Sequence, residues 1–282
     1  MQIDLRMMKP KMINNLTTDS AEDFLSANMG RVLNESKLDR TLHSYVLYVD
    51  ANNGNDSTAD GSSSKPFQTI IAAYSYLPDF VNSATIKLNP GSYVEASSIQ
   101  FYKNIVNLTL ESSDYNNIAT ISCSSSDLRD SILYVSNSHK FTLKNIALDR
   151  GGNKESGSCI NIDCTNFEID SCEFYNCYIA IKTSFCHGQI SLCSFENVSN
   201  AINANKASNL LSVNNETIED VDYGVVSNGS IVFNYGNELT GDVEDYVTTM
   251  YGRVFNTERD IAVASIADSN GNVINRGGTD II

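Results

Sequence analysis

Three stretches of the chain repeat one another. SCEFYNCYIAI (171–181) precedes LCSFENVSNAI (192–202) by 21 residues, and NETIEDVDYGV (215–225) follows 23 residues later. The shared positions are Phe174, Phe195 and Ile218; Cys177, Val198 and Val221; Ala180, Ala201 and Gly224; and Ile181, Ile202 and Val225. One unit earlier, FTLKNIAL (141–148) matches FEIDSCEF (167–174) at a spacing of 26, with Leu143 over Ile169, Ile146 over Cys172 and Leu148 over Phe174. A period of this length, filled with short strand-like segments, is the mark of a solenoid. It constrains the fold more than any other feature of the sequence, because each unit can bury its apolar face only against its neighbours.

Apolar positions inside each unit alternate in twos, which excludes helical repeats. A leucine-rich repeat needs a leucine consensus with an asparagine at a fixed place, and the units lack it. A parallel β-helix of three short strands per coil fits, with the changes of spacing absorbed in turns. Coils one strand spacing apart, about 4.8 Å, stack like residues into columns. Phe174–Phe195 is then an aromatic column and Cys172–Cys193 a thiol column. Asn176, Asn197 and Asp220 hold one corner, where their tolerance of the left-handed conformation is needed. Asn and Ser carry the turns in a chain with only 16 Gly and 4 Pro.

The coil F-x-N-[CV]-x-x-[AG]-[IV] resembles the pectate-lyase-like right-handed parallel β-helix proteins. So does YVDANNGNDSTADGSSSKPFQTIIAAY (48–74). The resemblance implies that this stretch supplies a first strand, a polar loop and a helix that plugs the open end of the solenoid, which would otherwise expose core and strand edges. Asn53-Gly54 and Asp60-Gly61 are turn signals. Thr69 is the expected N-cap, with Ile70, Ile71, Ala73 and Tyr74 as the apolar face. The expected divisions are 1–44, an N-terminal segment; 45–83, the cap; 84–236, the β-helix; and 237–282, a charged C-terminal piece that breaks the repeat and has two strands expected around Asp268–Gly271.

Acidic residues number 34 against 19 Lys and Arg, a net charge of −15. That balance is wrong for phosphate contacts and for anionic lipid, so neither nucleic acid nor membrane is an expected partner. No apolar run reaches a membrane span, and residues 1–16 lack the apolar core of a signal peptide. Seven cysteines, an odd number with no paired C-x₂-C spacing, read as buried apolar residues rather than disulfides or a zinc site. No cofactor signature is present.

The fold family includes many enzymes acting on acidic polysaccharides, but the NTD, DD, GHG and R-x-K set of the polygalacturonase-like members is missing. His187, in FCHGQ, reads as a turn residue. The nearest approach to a catalytic pair is Glu168 and Asp170, two acids on one outward strand face, roughly 6.6 Å apart. That approaches the separation of inverting glycosidases, about 6.5–9.5 Å. Their expected column neighbours are Thr142 and Gln189 for Glu168, and Lys144 and Ser191 for Asp170. Asp50, Asp56 and Asp60 are the candidates for a cation site, although their loop does not fit the EF-hand pattern. Tyr115, Tyr134, Tyr175 and Tyr178 are the candidate stacking faces for a glycan.

The N-terminal NNLTTDSAEDFLSANMGRVLNE (14–35) carries different signals. Asp19 or Ser20 can cap a helix, and Leu25, Met29 and Val32 form a stripe that Phe24 and Leu33 widen. The stripe spans two heptads, too short to stand alone, so it needs partners. This stretch also resembles a segment of bacteriophage fibre proteins of the form NNLTTT…ALSAxQGKxLN. Asn15–Thr18, Leu25-Ser26-Ala27 and Gly30–Asn34 keep the pattern, while Asn28-Met29 and Arg31 depart from it. The resemblance implies a homotrimeric tail fibre, tailspike or head appendage of a virion, assembled in the host bacterial cytoplasm. Other virion proteins would be its partners at the N-terminal segment, with Phe24, Leu25, Met29, Val32 and Leu33 as the oligomerisation residues. The β-helix would be displayed for host attachment, as a structural rather than an enzymatic protein. The alternative is a tailspike-type depolymerase of bacterial surface polysaccharide.

Overall fold

The computed structural model describes residues 12–13, 24–25, 43–123, 131–136, 138–151, 157–239, 241–242, 244–249 and 252–256. The chain divides into two compact units, Met1–His43 and Ser44–Ile282. In the first, strand β1 (Met12–Ile13) pairs in parallel with β2 (Phe24–Leu25), Met12 opposite Phe24 and Ile13 opposite Leu25. Phe24 and Leu25 are therefore extended, where the sequence predicts helix. A two-heptad stripe is marginal as an isolated helix, and backbone pairing with a second apolar dipeptide competes with it. Met29, Val32 and Leu33 lie outside the described residues.

The second unit is the solenoid. Its first face is a nine-stranded parallel sheet that runs from Ser44–Val49 and Phe80–Leu88, through Asn104–Ser112 and Lys140–Lys144, to Asn166–Asp170, His187–Ser191, Asn209–Val213, Ile231–Tyr235 and Arg253–Asn256. The second face starts with Ser92–Glu95, Ala119–Cys123 and Ile146–Asp149, and the third with Ile99–Phe101, Ser131–Val135 and Ser158–Asp163. In the later coils the second and third faces fuse into single bent strands, Glu173–Ser184, Ser194–Asn205 and Glu216–Asn228. Each bends at one left-handed residue, Asn176, Asn197 or Asp220, with φ of 55°, 52° and 53°. The amides stack: Asn197 Nδ2 donates to Asn176 Oδ1 at 2.6 Å, and Asn176 Nδ2 to Asp149 Oδ1 at 2.8 Å.

The other two corners use the same device with less suitable residues. Asn145, Ser171, Leu192 and Asn214 have positive φ between the first and second faces, and Cys164, Phe185, Lys206 and Ala207 between the third and first. A corner and a bulge on the second face explain the change of period in the later coils. Ser184 pairs with Asn205, a step of 21; Ala207 adds one residue at the corner, so Gln189 pairs with Leu211. A bulge adds another, since Phe195 faces Thr217 and Glu196 faces Glu219. Ile218, expected to continue the Phe174–Phe195 column, is the extra residue and is 53% exposed. The register recovers at Val198–Val221 and Ile202–Val225. The solenoid also runs past the expected boundary at 236. Glu244–Thr249 pairs with Tyr223–Asn228, and Arg253–Asn256 with Ile231–Asn234. The side-chain repeat is legible only to 236, while the backbone ladder continues to Asn256. The strands expected around Asp268–Gly271 lie outside the described residues.

The core is columnar. Leu47, Ile86, Leu110, Leu143, Ile169 and Ile190 form one inward line on the first face, and Phe174 and Phe195 stack on the second with ring centroids 5.3 Å apart and planes 13° from parallel. Gly188 leaves room for the Phe167 ring, since a Cβ there would lie 2.4 Å from a ring carbon. Six cysteines are buried free thiols, as expected, but Cys164 is exposed. Toward the C-terminal coils the thiol columns give way to polar side chains. Cys193 is followed one coil on by Asn215 and then Asn237, and Cys186 by Ser208 and Ser230.

Helix α1 (Ile70–Tyr76) plugs the N-terminal end. Thr69 caps it as expected, its hydroxyl accepting from Ala72 N, and Ile70, Ala73 and Tyr74 are buried; Ile71 faces outward. Lys103 Nζ donates to the carbonyls of Tyr74, Ser75 and Leu77, satisfying the helix C-terminus. The N-terminus receives a carboxylate that the sequence did not flag. Glu95, 5% exposed, accepts from Ile70 N at 3.1 Å. Burial pushes its carboxyl above the usual range, against the lowering effect of that hydrogen bond. A carboxyl with a raised folded-state pKa favours folding in its protonated form, and this contribution is lost as pH rises through the raised value. Glu95→Gln should therefore gain on the wild type in thermal midpoint as pH rises from about 4.5 toward neutrality. A midpoint difference independent of pH would refute the assignment.

Candidate functional site

The outer side of the first face carries the sequence-predicted acids. Glu168 pairs in register with Thr142 and Gln189, and Asp170 with Lys144 and Ser191, as read from the repeat. Glu168 accepts from Lys140 Nζ at 2.9 Å, a diagonal partner the column reading missed. That hydrogen bond holds its carboxyl below the usual range. Asp170 accepts from Ser191 Oγ at 2.9 Å and lies 4.0 Å from Lys144 Nζ. One coil row away, Lys87 meets Glu111 at 3.1 Å. The face is an ion-pair ladder in which Lys140 favours the charged form of Glu168, whereas a glycosidase acid must hold its proton near neutrality.

The three loop aspartates do not converge. Asp50 Oδ1 accepts from Asn52 N and Asn53 N, and its Oδ2 from Asn89 Nδ2. Asp56 accepts from Gln68 N, Thr69 N and Thr69 Oγ1, fastening the loop to the start of α1. Asp60 accepts from Ser62 N in its own turn. Each carboxylate is engaged by nearby backbone and side-chain groups, and among the described residues no cluster of metal-ligating side chains forms.

The four tyrosines are dispersed. Tyr115 lies in the loop after the first face, 71% exposed; Tyr175 is on the second face, its hydroxyl donating to Glu173 Oε2 at 2.6 Å; Tyr178 is 43% exposed just past the second corner. Tyr134 lies in a concavity. It heads an outward column on the third face, Tyr134–Asn161–Lys182–Asn203, beside the column Asp163–Ser184–Asn205–Asn228. All of these but Asn203, together with Lys206, line a groove of about 320 Å³. Partial burial, and then Asp163, raise the Tyr134 phenol above its ordinary value, so it stays a neutral donor.

The groove holds several uncommitted polar groups. Asn228 Oδ1 is buried without a hydrogen-bond partner. Asn205 Nδ2 is tied to Asn203 Oδ1 at 2.6 Å, leaving its own oxygen outward. Across the third corner, Cys164, Phe185 and Lys206 form a ridge, the Lys206 ammonium 5.9 Å from the Phe185 ring centre. Beyond the ridge a second cleft of about 350 Å³ is lined by His139, Thr165, Asn166 and His187. His187 opens a strand of the first face rather than a turn. Amides, a hydroxyl, an ammonium and an aromatic ring in a solvent-open groove suit hydrogen bonding and stacking against a polyol. Only Tyr134 of this set stood out in the sequence. The rest are ordinary Asn, Asp and Lys until the coil register aligns them.

Comparison with known proteins separates the two units. Residues 12–44 match the family model of phage tail fiber repeats. This stretch is similar to a phage tail fibre repeat. Its solenoid is similar to a solved rhamnogalacturonan lyase, at 14% identity and a TM-score of 0.57, over 82% of this chain and 66% of the lyase. The chain thus spans just under two thirds of that protein's length. It also matches the crystal structure of pectate lyase Pel9A, at 14% identity and a TM-score of 0.45, over 86% of this chain and 83% of that one. No match was found among curated proteins. From Ser44 the chain forms a right-handed parallel β-helix of about seven turns, a fold it shares with the rhamnogalacturonan lyase. At this identity the likeness carries the fold and not the lyase activity.

Proposed function

We propose that this phage fibre protein is a homotrimeric appendage of a virion, anchored to other virion proteins by its N-terminal segment and displaying the β-helix for attachment to a host-surface glycan. The observation that carries this reading is the junction: a tail fibre repeat over 12–44 runs directly into a solenoid whose first strand begins at Ser44. Leu25, Met29, Val32 and Leu33, with Phe24, are the proposed oligomerisation residues. A trimer gathers three short apolar segments that are too small to be stable singly. Purified full-length protein is expected at three times the chain mass in native mass spectrometry, and Met29→Asp is expected to release monomer. A wild-type protein that stays monomeric at micromolar concentration defeats the proposal.

Attachment is favoured over depolymerisation because the acid pair on the first face is bound to lysines and serine. Glu168→Gln should leave reducing-sugar release from host polysaccharide at background, as in the wild type. Release by the wild type that this variant abolishes would restore the enzymatic reading.

A further inference from the structure

Seven lysines lie among the described residues. Lys65, Lys87, Lys140 and Lys144 each face a carboxylate within 4.0 Å, Lys103 caps α1, and Lys206 lies over Phe185. Lys182 has neither an ion pair nor a hydrogen bond among the described residues, yet it is half-buried at the middle of the third-face groove. Its column neighbours are Asn161 and Asn203, both neutral. In a chain of net charge −15, this groove sets two ammoniums, Lys182 and Lys206, against one carboxylate, Asp163. An anionic ligand is repelled by the molecule as a whole and finds a locally favourable potential here.

From this arrangement we infer that the third-face groove binds an acidic glycan, with a carboxylated sugar seated at Lys182, a neighbouring ring against Tyr134, and hydroxyls on Asn161, Asn205 and Asn228. The inference deepens the attachment reading above and rests on it. The groove runs along the solenoid axis, so a linear polysaccharide laid in it meets a new pair of side chains about every 4.8 Å. The unpaired ammonium supplies a charge-assisted hydrogen bond, stronger than a neutral one. The volume is at the small end for a ligand site, matched to one or two sugar rings rather than a long buried segment.

The test is binding of the full-length protein to a printed array of bacterial surface oligosaccharides, uronate-bearing and neutral. Retention on uronate-bearing glycans is expected. Lys182→Gln and Tyr134→Ala should each weaken it about tenfold or more, near 1.4 kcal/mol per tenfold. Glu168→Gln, on the first face, should not change it, and added salt should weaken it in the wild type more than in Lys182→Gln. Circular dichroism of each variant checks that the solenoid is intact. Retention of neutral glycans only, retention indifferent to both groove variants, or no retention of any glycan would each overturn the groove assignment. Native mass separates the two claims: a trimer that fails on the array leaves the fibre reading standing, and a monomer defeats that reading whatever the array shows.

Discussion

Phe195→Ala should cost about 3–5 kcal/mol of unfolding free energy, among the largest effects of any single substitution in this chain. The ring is fully buried and lies against Phe174 at 5.3 Å, nearly parallel. Two terms add: the transfer free energy of the lost ring and the cavity left behind. Collapse into that cavity is resisted here, because the coils on either side are held at strand spacing by backbone pairing, Phe174 to Phe195 to Thr217. The lever is also asymmetric along the axis. The next residue in the column is Thr217, so no third ring can slide in to fill the space. Urea denaturation should show a lower midpoint with an unchanged slope, since the surface exposed on unfolding is nearly the same. A loss below about 1 kcal/mol would mean that the column does not pack as a rigid stack.

Asn215→Cys should also cost at least about 3 kcal/mol, for a different reason. Cys occupies the same place one coil earlier, as Cys193, so the swap preserves a side chain the column already accepts. What it removes is a set of hydrogen bonds. Asn215 Oδ1 accepts from Cys193 N at 2.9 Å, and Nδ2 donates to Ile190 O, Ser212 Oγ and Asn237 Oδ1, each at 3.0 Å. All of these partners are buried. Each group left unsatisfied costs about 1–3 kcal/mol, and members of such a network strengthen one another. Hydrogen exchange should show faster opening of the coils around Ile190 and Asn237 than of those around Leu110. An unchanged midpoint would show that the ladder is held by the backbone alone.

Much of this architecture was legible because a β-solenoid writes its tertiary contacts into its sequence. Leu143 over Ile169, Phe174 over Phe195 and Val198 over Val221 are true pairs, since the coil spacing maps a fixed sequence separation onto a fixed neighbour. Asn176, Asn197 and Asp220 were legible as a corner because only a few residue types rest easily in the left-handed region. Thr69 was legible as a cap for a comparable local reason. Ile218 was misplaced because a bulge shifts the register by one residue without an unusual residue to mark it. The end of the solenoid was placed too early because backbone pairing, not side-chain similarity, carries strands 244–249 and 253–256.

The candidate site was hardly legible at all. Glu168 and Asp170 attracted notice through their spacing on one strand, yet Lys140, from the coil before, pairs with Glu168, and Ser191 and Lys144 hold Asp170. Tyr134, Asn161, Lys182 and Asn228 span almost 95 residues and share no motif. By itself the sequence determined the solenoid, its period, the corner residues and the fibre repeat in front of it, all of which depend on local propensity or on like residues recurring at a fixed interval. The tertiary structure alone decided which outward side chains share a face, and which of the described lysines face a carboxylate and which do not. Outward residues are not constrained to repeat, so only the coil register, with its extra residues at Ala207 and Ile218, brings them together.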